Sequence, residues 1–141
     1  MGAIRPAHRS DIPRILDLSC AVYGFDNPML GAAWLEKVLK DENSLVLLGK
    51  HSFGIGSVFK AFYWKKPRGY ILQVASQPTG LSREALRVVQ QLVAWTKQKG
   101  CFEVIMGSEI GTDYGPFAEI LGASRAAPSY VVRFDKEPEY A

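Results

Sequence analysis

The fold is decided by two short apolar runs and the helical stretch between them: Tyr70-Ile71-Leu72-Gln73-Val74-Ala75, then Ser82 to Gly100, then Phe102-Glu103-Val104-Ile105-Met106. In the middle stretch, apolar side chains recur at helical spacing at Ala85, Val88, Val89, Leu92, Val93 and Trp95. Ser82 is suited to cap the start of this helix, and Lys99-Gly100 to end it. Because a strand, a long helix and a second strand form a crossover, we expect the two strands to be parallel neighbours.

Upstream of this unit, the sequence predicts two helices. Ser10 is suited to cap a helix that begins at Asp11 and ends at Gly24. Asn27-Pro28 is typical of an N-cap followed by proline at the first helical position, and the second helix continues through Leu39.

The remaining segments predict strands and one short helix. Three apolar runs favour an antiparallel meander with a turn around Ser52-Phe53-Gly54: Leu45 to Gly49, Ile55 to Trp64, and Tyr70 to Ala75. Shorter segments complete the prediction at the two ends: a strand at Ala3 to Arg5, a helix at Pro116 to Leu121 that ends at Gly122, and a strand at Tyr130 to Phe134.

These elements predict the α+β class, with one mixed, mostly antiparallel sheet, a central βαβ crossover and helices on both faces. The 141 residues suffice for a single domain, residues 1–141. A chain of this length buries roughly 68–70% of its unfolded surface, so a core can form without disulfides. The charged segment Asp135 to Ala141, which contains Pro138, is expected to be a flexible tail.

Composition narrows the class of function only a little. The net charge of +3, from 17 Lys and Arg against 14 Asp and Glu, assists binding of any anion and selects none. Cys20 and Cys101 have no metal-ligand spacing, so we expect no metal site and two reduced, buried thiols. With no long apolar run and no signal-peptide core, the expectation is a cytoplasmic protein without a membrane partner.

The order of the predicted elements resembles the GNAT superfamily of N-acetyltransferases, from Ile4 to Phe134. Three local stretches carry the similarity: Ile4-Arg5-Pro6-Ala7 leading into Ser10-Asp11-Ile12, the helix Leu86 to Gly100 with its Lys99-Gly100 end, and Phe117-Ala118-Glu119-Ile120-Leu121-Gly122-Ala123. The last stretch is similar to the family's Phe-Tyr-Glu-Lys-Leu-Gly-Phe segment.

The resemblance implies transfer of an acetyl group directly from acetyl-CoA, the cosubstrate, to an amine. A main-chain amide on the strand Tyr70 to Ser76 would polarise the thioester carbonyl. The pyrophosphate would bind at the N-terminus of the long helix, where helical amides and the helix dipole favour an anion. The implied cofactor-binding residues are Val74, Ala75, Ser76, Gly80, Ser82, Arg83 and Ala85.

The cofactor loop departs from the family's pattern. Where the family carries Gln/Arg-x-x-Gly-x-Gly/Ala, this chain reads Gln77-Pro78-Thr79-Gly80-Leu81-Ser82-Arg83-Glu84-Ala85. Two interpretations stay open: a polar loop in which Ser82 is only an N-cap, or a phosphate site in which Arg83 supplies charge-assisted hydrogen bonds. Glu84 would place an unfavourable negative charge at such a site.

A second departure is Ala118, at the place where the family often has a tyrosine that protonates the departing thiolate. Tyr114, one helical turn earlier, is the candidate acid. Glu109 and Asp113 follow the strand that ends near Met106 and are the candidate groups for the general base. If these are ordinary surface residues, the alternative is a catalytically degenerate GNAT-like domain that serves as a binding or structural module.

The expected acceptor is an amine of a small molecule or of a protein. The first two helices would form one wall of its site, with Tyr23, Phe25, Asp26 and Trp34, although core packing explains Trp34 equally well. A second copy of the chain could complete the site, as a homodimer.

One basic hairpin suggests a different partner. Tyr63 and Trp64 lie among Lys60, Lys65, Lys66 and Arg68, which is the composition of a phosphate-contacting, base-stacking patch. A solvated turn that blunts a sheet edge explains the same residues. Nucleic acid is therefore not the partner that the sequence predicts.

Overall fold

The computed structural model describes residues 3–23, 28–77, 82–106, 115–124, 132 and 134. Within these ranges the chain forms five strands and four α-helices: β1 (Arg5–Pro6), α1 (Ile12–Tyr23), α2 (Pro28–Lys40), β2 (Ser44–Leu48), β3 (Ser52–Phe59), β4 (Arg68–Ser76), α3 (Arg83–Gln98), β5 (Val104–Met106) and α4 (Gly115–Leu121). None of the described helices has the length and apolar character needed to cross a bilayer.

The strands form one sheet in the order β1-β2-β3-β4-β5. The first three pairings are antiparallel, whereas β4 and β5 are parallel and are joined through α3. The predicted meander and crossover are therefore confirmed, and the class is α+β with helices on both faces of a mixed sheet.

One face of the sheet packs against α1 and α2. The largest fully buried side chains in the core between them are Phe53 and Ile55 from β3, and Ile15 and Leu18 from α1. Burying such a side chain stabilises the fold by about 1.5–3 kcal/mol. This core holds the meander in a fixed position relative to the first two helices.

The opposite face packs against α3 through Val88, Val89 and Leu92, all of which are completely buried. Glycines on the sheet let the helix approach closely. A Cβ at Gly54 would lie 2.5 Å from Val88 Cγ1, and one at Gly69 would lie 2.6 Å from Thr96 Cγ2. The predicted apolar face of the long helix thus meets a sheet surface of matching small residues.

The ends of α3 follow the sequence prediction. Ser82 is the N-cap, and its hydroxyl accepts a hydrogen bond from the Ala85 amide at 3.0 Å. At the other end Lys99 is the C-cap, and Gly100 has a φ of +81°, a conformation that glycine adopts without strain. The helix is therefore fixed by local residues at both ends.

The predicted start of α1 is wrong in detail. Ser10 lies within a 3₁₀ turn, Arg9–Asp11, and the helix follows it. The side chain of Asp11 does the capping, because its Oδ2 accepts from the His8 amide at 2.8 Å and from Arg5 Nη1 at 2.7 Å. Hydrogen bonds first from Arg5 and then from His8 lower the pKa of Asp11 to about 2.

Two further expectations need correction. Ser52-Phe53-Gly54 is not a turn but the start of β3, which ends at Phe59 well before Trp64. Cys20 is exposed rather than buried, and Cys101 is half-buried, with its thiol pKa raised by burial. The predicted strand Tyr130 to Phe134 lies outside the described residues except for positions 132 and 134, and the predicted tail lies wholly outside them.

Candidate functional site

The site begins with a bulge in β4. Gln73 pairs with Ile55, and Ile71 pairs with Gly56, so Leu72 is an extra residue on β4. An extra residue shifts the alternation of a strand and increases its local twist. The bulge therefore changes which main-chain groups of β4 face each neighbouring strand.

Two hydrogen bonds fix these directions. The Gly69 amide donates to Glu103 O at 2.9 Å, towards β5, and the Gln77 amide donates to His51 O at 2.8 Å, towards β3. Because facing pairs of an antiparallel ladder alternate, the main chain of Ser76 faces away from β3, on the β5 side. The described pairing of β4 with β5 ends at Ile71 and Met106, so Ser76 lies beyond it.

The side chains of this strand are committed to other contacts. Val74 is buried in the core beneath α3, and Ala75 in the core beneath α1, each with 3% of its surface exposed. Ala85, in the first turn of α3, is buried in the core on that face of the sheet, and its amide already donates to Ser82 Oγ. A ligand that reaches Val74 or Ala75 would therefore contact main-chain atoms.

Hydroxyl groups join the end of β4 to the start of α3. Ser76 Oγ, at the end of β4, lies 2.9 Å from Ser82 Oγ, at the start of α3. Ser76 also lies 3.3 Å from Ser52 Oγ on β3. These contacts hold the end of β4 and the first turn of α3 in one fixed arrangement.

Glu84 does not place its charge where the sequence predicted. Its side chain is buried and turned towards the chain between β2 and β3, where Oε1 accepts from Ser52 Oγ at 2.7 Å and from the His51 amide at 2.8 Å. The Lys50 amide donates to Oε2 at 3.2 Å. Burial raises the pKa of Glu84, but these three hydrogen bonds outweigh it and hold the pKa below its ordinary value.

The carboxylate of Glu84 determines which of the serine hydroxyl groups donates in each hydrogen bond. Ser52 has one proton, and the ionised Glu84, which can only accept, takes it at 2.7 Å. Ser76 therefore donates either to Ser52 or to Ser82. In the second arrangement, the proton of Ser82 is available to an acceptor above the helix terminus.

Sequence reasoning missed the role of Glu84 and Ser52. A glutamate in the first turn of a helix ordinarily complements the helix dipole, and no local pattern connects it with residues 32 to 34 positions earlier. In the structure, Gly49 leaves room for this carboxyl group, since a Cβ there would lie 2.6 Å from it.

The remaining predicted site residues are only partly described. Arg83 is exposed at the first position of α3, beside Ser82. Ala118 is half-buried in α4, where its carbonyl accepts from the Ala123 amide at 2.8 Å. Gly80, Glu109, Asp113 and Tyr114 lie outside the described residues.

The expected acceptor wall is also described in part. Trp34 on α2 keeps 44% of its surface exposed, and Leu30, one helical turn earlier, keeps 56%, so core packing does not account for them. Phe25, Asp26 and the side chain of Tyr23 lie outside the described part of the chain. Among the described residues, no group of three or more His, Cys, Asp or Glu could hold a metal ion.

Comparison with solved structures defines the class of fold. A putative acetyltransferase from Agrobacterium tumefaciens superposes with a TM-score of 0.76 at 16% identity, covering 93% of this chain and 99% of its own. Glucosamine-6-phosphate N-acetyltransferase from Arabidopsis thaliana gives a TM-score of 0.74 at 20% identity, covering 96% and 99%. Aminoglycoside 6'-N-acetyltransferase from Acinetobacter baumannii gives 0.71 at 18% identity, covering 99% and 100%.

These likenesses confirm the resemblance drawn from the sequence: the chain has the fold of the GNAT acetyltransferases over nearly its whole length. No family model matches the chain. No curated protein matches it either. At these identities the likeness defines the fold, whereas function depends on the site.

Proposed function

We propose that the protein is an acetyl-CoA-dependent N-acetyltransferase that transfers the acetyl group directly to an amine. The observation that carries the proposal is the 2.9 Å contact between Ser76 and Ser82, which joins the end of the bulged strand to the start of α3. A helix terminus suited to an anion and a strand main chain facing the β5 side thus lie next to each other.

In this proposal, the diphosphate of acetyl-CoA binds at the start of α3. The groups available to it are the first amides of the helix, the Ser82 hydroxyl and the side chain of Arg83, which is exposed at the first helical position. Glu84 leaves the helix amides available, because its carboxylate accepts hydrogen bonds from the Lys50 and His51 amides instead.

The main chain of β4 near Ser76 would polarise the thioester carbonyl. The amine nitrogen then forms a bond to the carbonyl carbon as the carbon–sulfur bond breaks, and the amine loses one proton while the thiolate gains one. Tyr114 is the proposed donor to the thiolate, and Glu109 or Asp113 the proposed group that receives the amine proton. The exposed Leu30 and Trp34 face of α2 supports an acceptor wall there.

The second candidate function is a GNAT-like module without catalysis. The observation that favours it is Ala118 in α4, since alanine has no proton to donate where the family often has tyrosine. The two functions differ in turnover, because a module can retain acetyl-CoA without consuming it.

The test follows release of free coenzyme A thiol from acetyl-CoA, with a diamine, an amino sugar and a lysine-containing peptide as acceptors. The proposal predicts acceptor-dependent thiol release, with Tyr114→Phe lowering kcat more than it changes KM. Acetyl-CoA binding without acceptor-dependent release from any of the three amines would instead favour the module.

A binding comparison tests the proposed phosphate contact. Arg83→Ala should weaken acetyl-CoA binding about tenfold, because it removes a charge-assisted hydrogen bond. Lys97→Ala, which removes one exposed positive charge from the other end of α3, is the matched control and should leave the affinity unchanged. Equal losses in the two variants would remove Arg83 from the site.

A further inference from the structure

A cluster of aromatic rings lies where β3 and β4 are joined, and nothing in the proposed acetyl transfer uses it. Trp64 is its centre, in edge-to-face contact with Phe59 at 6.0 Å, Tyr63 at 5.9 Å and Phe102 at 5.9 Å between ring centroids. Phe62 contacts Tyr63 in the same way at 5.2 Å. We refer to Phe59, Phe62, Tyr63, Trp64 and Phe102 as the ring cluster.

The ring cluster is far more exposed than packing residues are. Phe62 keeps 95% of its surface exposed and Tyr63 keeps 71%, so little of either ring is buried by the fold. Single exposed apolar residues are ordinary, but a contiguous exposed group on a small protein marks an interaction surface. The contacts among these rings also hold them in a defined arrangement.

Arg68 contacts two rings of the cluster, those of Trp64 and Phe102. Its guanidinium lies 4.6 Å from the Trp64 ring centroid and 5.1 Å from that of Phe102, and it forms an ion pair with Glu103 at 3.6 Å. Its Nε is buried without a hydrogen-bond partner among the described residues. Arg68 therefore serves to orient the two rings by cation–π contact.

The surface beside the rings is positively charged. Between Phe59 and Gly69 the sequence has four cations and no carboxylate: Lys60, Lys65, Lys66 and Arg68. Glu103 pairs with Arg68, so the excess positive charge of this surface comes from the three lysines. An open groove of about 360 Å³ is lined by Trp64, Phe102, Lys65 and Lys66, and its lining is almost wholly apolar. The aliphatic stems of the two exposed lysines therefore form part of the wall, and a charged end group on such a stem ordinarily reaches solvent at the rim. A ligand that fits this groove combines a planar ring with a nearby negative charge.

The positive charge of this surface also distinguishes between the ligands that could bind there. A second copy of the chain docked through this same surface would bring like charges together, which is destabilising. An acidic peptide would satisfy the lysines but would leave the ring faces without stacking partners. Single-stranded nucleic acid satisfies both, since unpaired bases stack on aromatic side chains and phosphates pair with lysines.

We propose that the ring cluster and the lysines of the β3–β4 hairpin bind single-stranded nucleic acid. Bases stack on Phe62, Tyr63 and the groove wall at Trp64, while Lys65 and Lys66 contact phosphates. The sequence alone favoured a solvated turn here, and the ring contacts are what change that interpretation. This surface lies at the start of β4, about 26 Å along the strand from Ser76, so it is separate from the proposed acetyl-CoA site.

The test measures fluorescence anisotropy of a labelled 15-nucleotide oligothymidylate with the full chain at 50 and 200 mM salt. The proposal predicts binding at 50 mM that weakens with salt, with a slope of about −0.7 per phosphate contact. Phe62→Ala with Tyr63→Ala should weaken binding at least about tenfold, because stacking is lost, without lowering the melting temperature.

A charge-matched pair separates this surface from general attraction. Lys65→Gln with Lys66→Gln should weaken binding and lower the salt slope by about 1.4, whereas Lys37→Gln with Lys40→Gln, on α2, should do neither. Absence of binding at 50 mM salt, or equal losses in the two pairs, would overturn the proposal. So would polyglutamate competing as well as unlabelled oligothymidylate, or a surface that binds only anionic lipid vesicles.

Discussion

The carboxyl group of Glu84 lies directly against Gly49, so that a Cβ at position 49 would be 2.6 Å from both its Cδ and its Oε1. The same carboxyl group accepts hydrogen bonds from Lys50, His51 and Ser52. Residues 49–51, between β2 and β3, thus surround the carboxylate of Glu84. Glu84 directly follows Arg83, which belongs to the proposed anion site at the start of α3.

Gly49→Ala should therefore destabilise the protein by about 1–3 kcal/mol, the usual cost of forcing an extra methyl group into a packed site. Urea unfolding followed by circular dichroism measures this. Adding Glu84→Ala removes the atoms that the new methyl group meets, so the double variant should lose less than the sum of the two single losses. Strict additivity would show that Gly49 and Glu84 do not interact.

Glu84→Gln should destabilise the protein by about 1–3 kcal/mol at pH 7, because an amide cannot accept all the hydrogen bonds that the carboxylate accepts. Folding lowers the pKa of Glu84, since the hydrogen bonds outweigh burial, so the folded state binds this proton less readily than the unfolded state. The stabilisation is present above the ordinary pKa of 4.5 and is lost as the pH falls.

The difference in unfolding free energy between wild type and Glu84→Gln should accordingly be constant from pH 7 to about pH 5.5 and narrow below pH 4.5. Urea titrations at a series of pH values provide the measurement. A difference that widened on acidification would mean that the carboxyl group is buried in its protonated form.

Gly54 and Gly56 offer a graded test of how closely α3 packs on the sheet. A Cβ at Gly54 would lie 2.5 Å from Val88 Cγ1, whereas one at Gly56 would lie 3.2 Å from Leu92 Cδ2. Gly54→Ala should therefore lower the melting temperature more than Gly56→Ala does. The reverse order in thermal unfolding would contradict the described position of α3.

Asp11 should remain ionised to unusually low pH, with a pKa of about 2 held down first by the Arg5 hydrogen bond and then by the His8 amide. Its carboxyl ¹³C shift in an NMR titration measures this. Arg5→Gln should move the midpoint up towards the ordinary value of 3.8. The stability that Asp11 supplies is present above pH 3.8 and is lost as the pH falls through about 2.

Features that depend on neighbouring residues could be predicted from the sequence. The Ser82 cap, the Gly100 end of α3 and the parallel β4–β5 pair each follow from a local pattern or from a rule of chain connection. Ser52-Phe53-Gly54 indicates a turn because serine and glycine favour turns, yet these residues begin β3, where Val88 leaves no room for a Cβ at position 54. That requirement comes from Val88, which lies more than 30 residues later in the sequence.

The features of the candidate site also fall into those that the sequence predicts and those that depend on contacts between distant residues. Ser76, Ser82 and Arg83 could be proposed from the family resemblance, and the structure brings the two serines within 2.9 Å of each other. The bulge at Leu72 and the capture of Glu84 depend on pairing between β3 and β4 and on contacts across the fold, so no local pattern indicates them. Tyr114, Glu109 and Asp113 stay predictions, as they lie outside the described residues.

The measurement that tests the central claim most directly is calorimetric titration of the wild-type protein with acetyl-CoA. The site at Ser76, Ser82 and Arg83 predicts saturable binding of one acetyl-CoA per chain with a Kd in the micromolar range, which corresponds to about −8 kcal/mol. No heat of binding at millimolar acetyl-CoA would contradict the proposed function, whatever fold the chain shares.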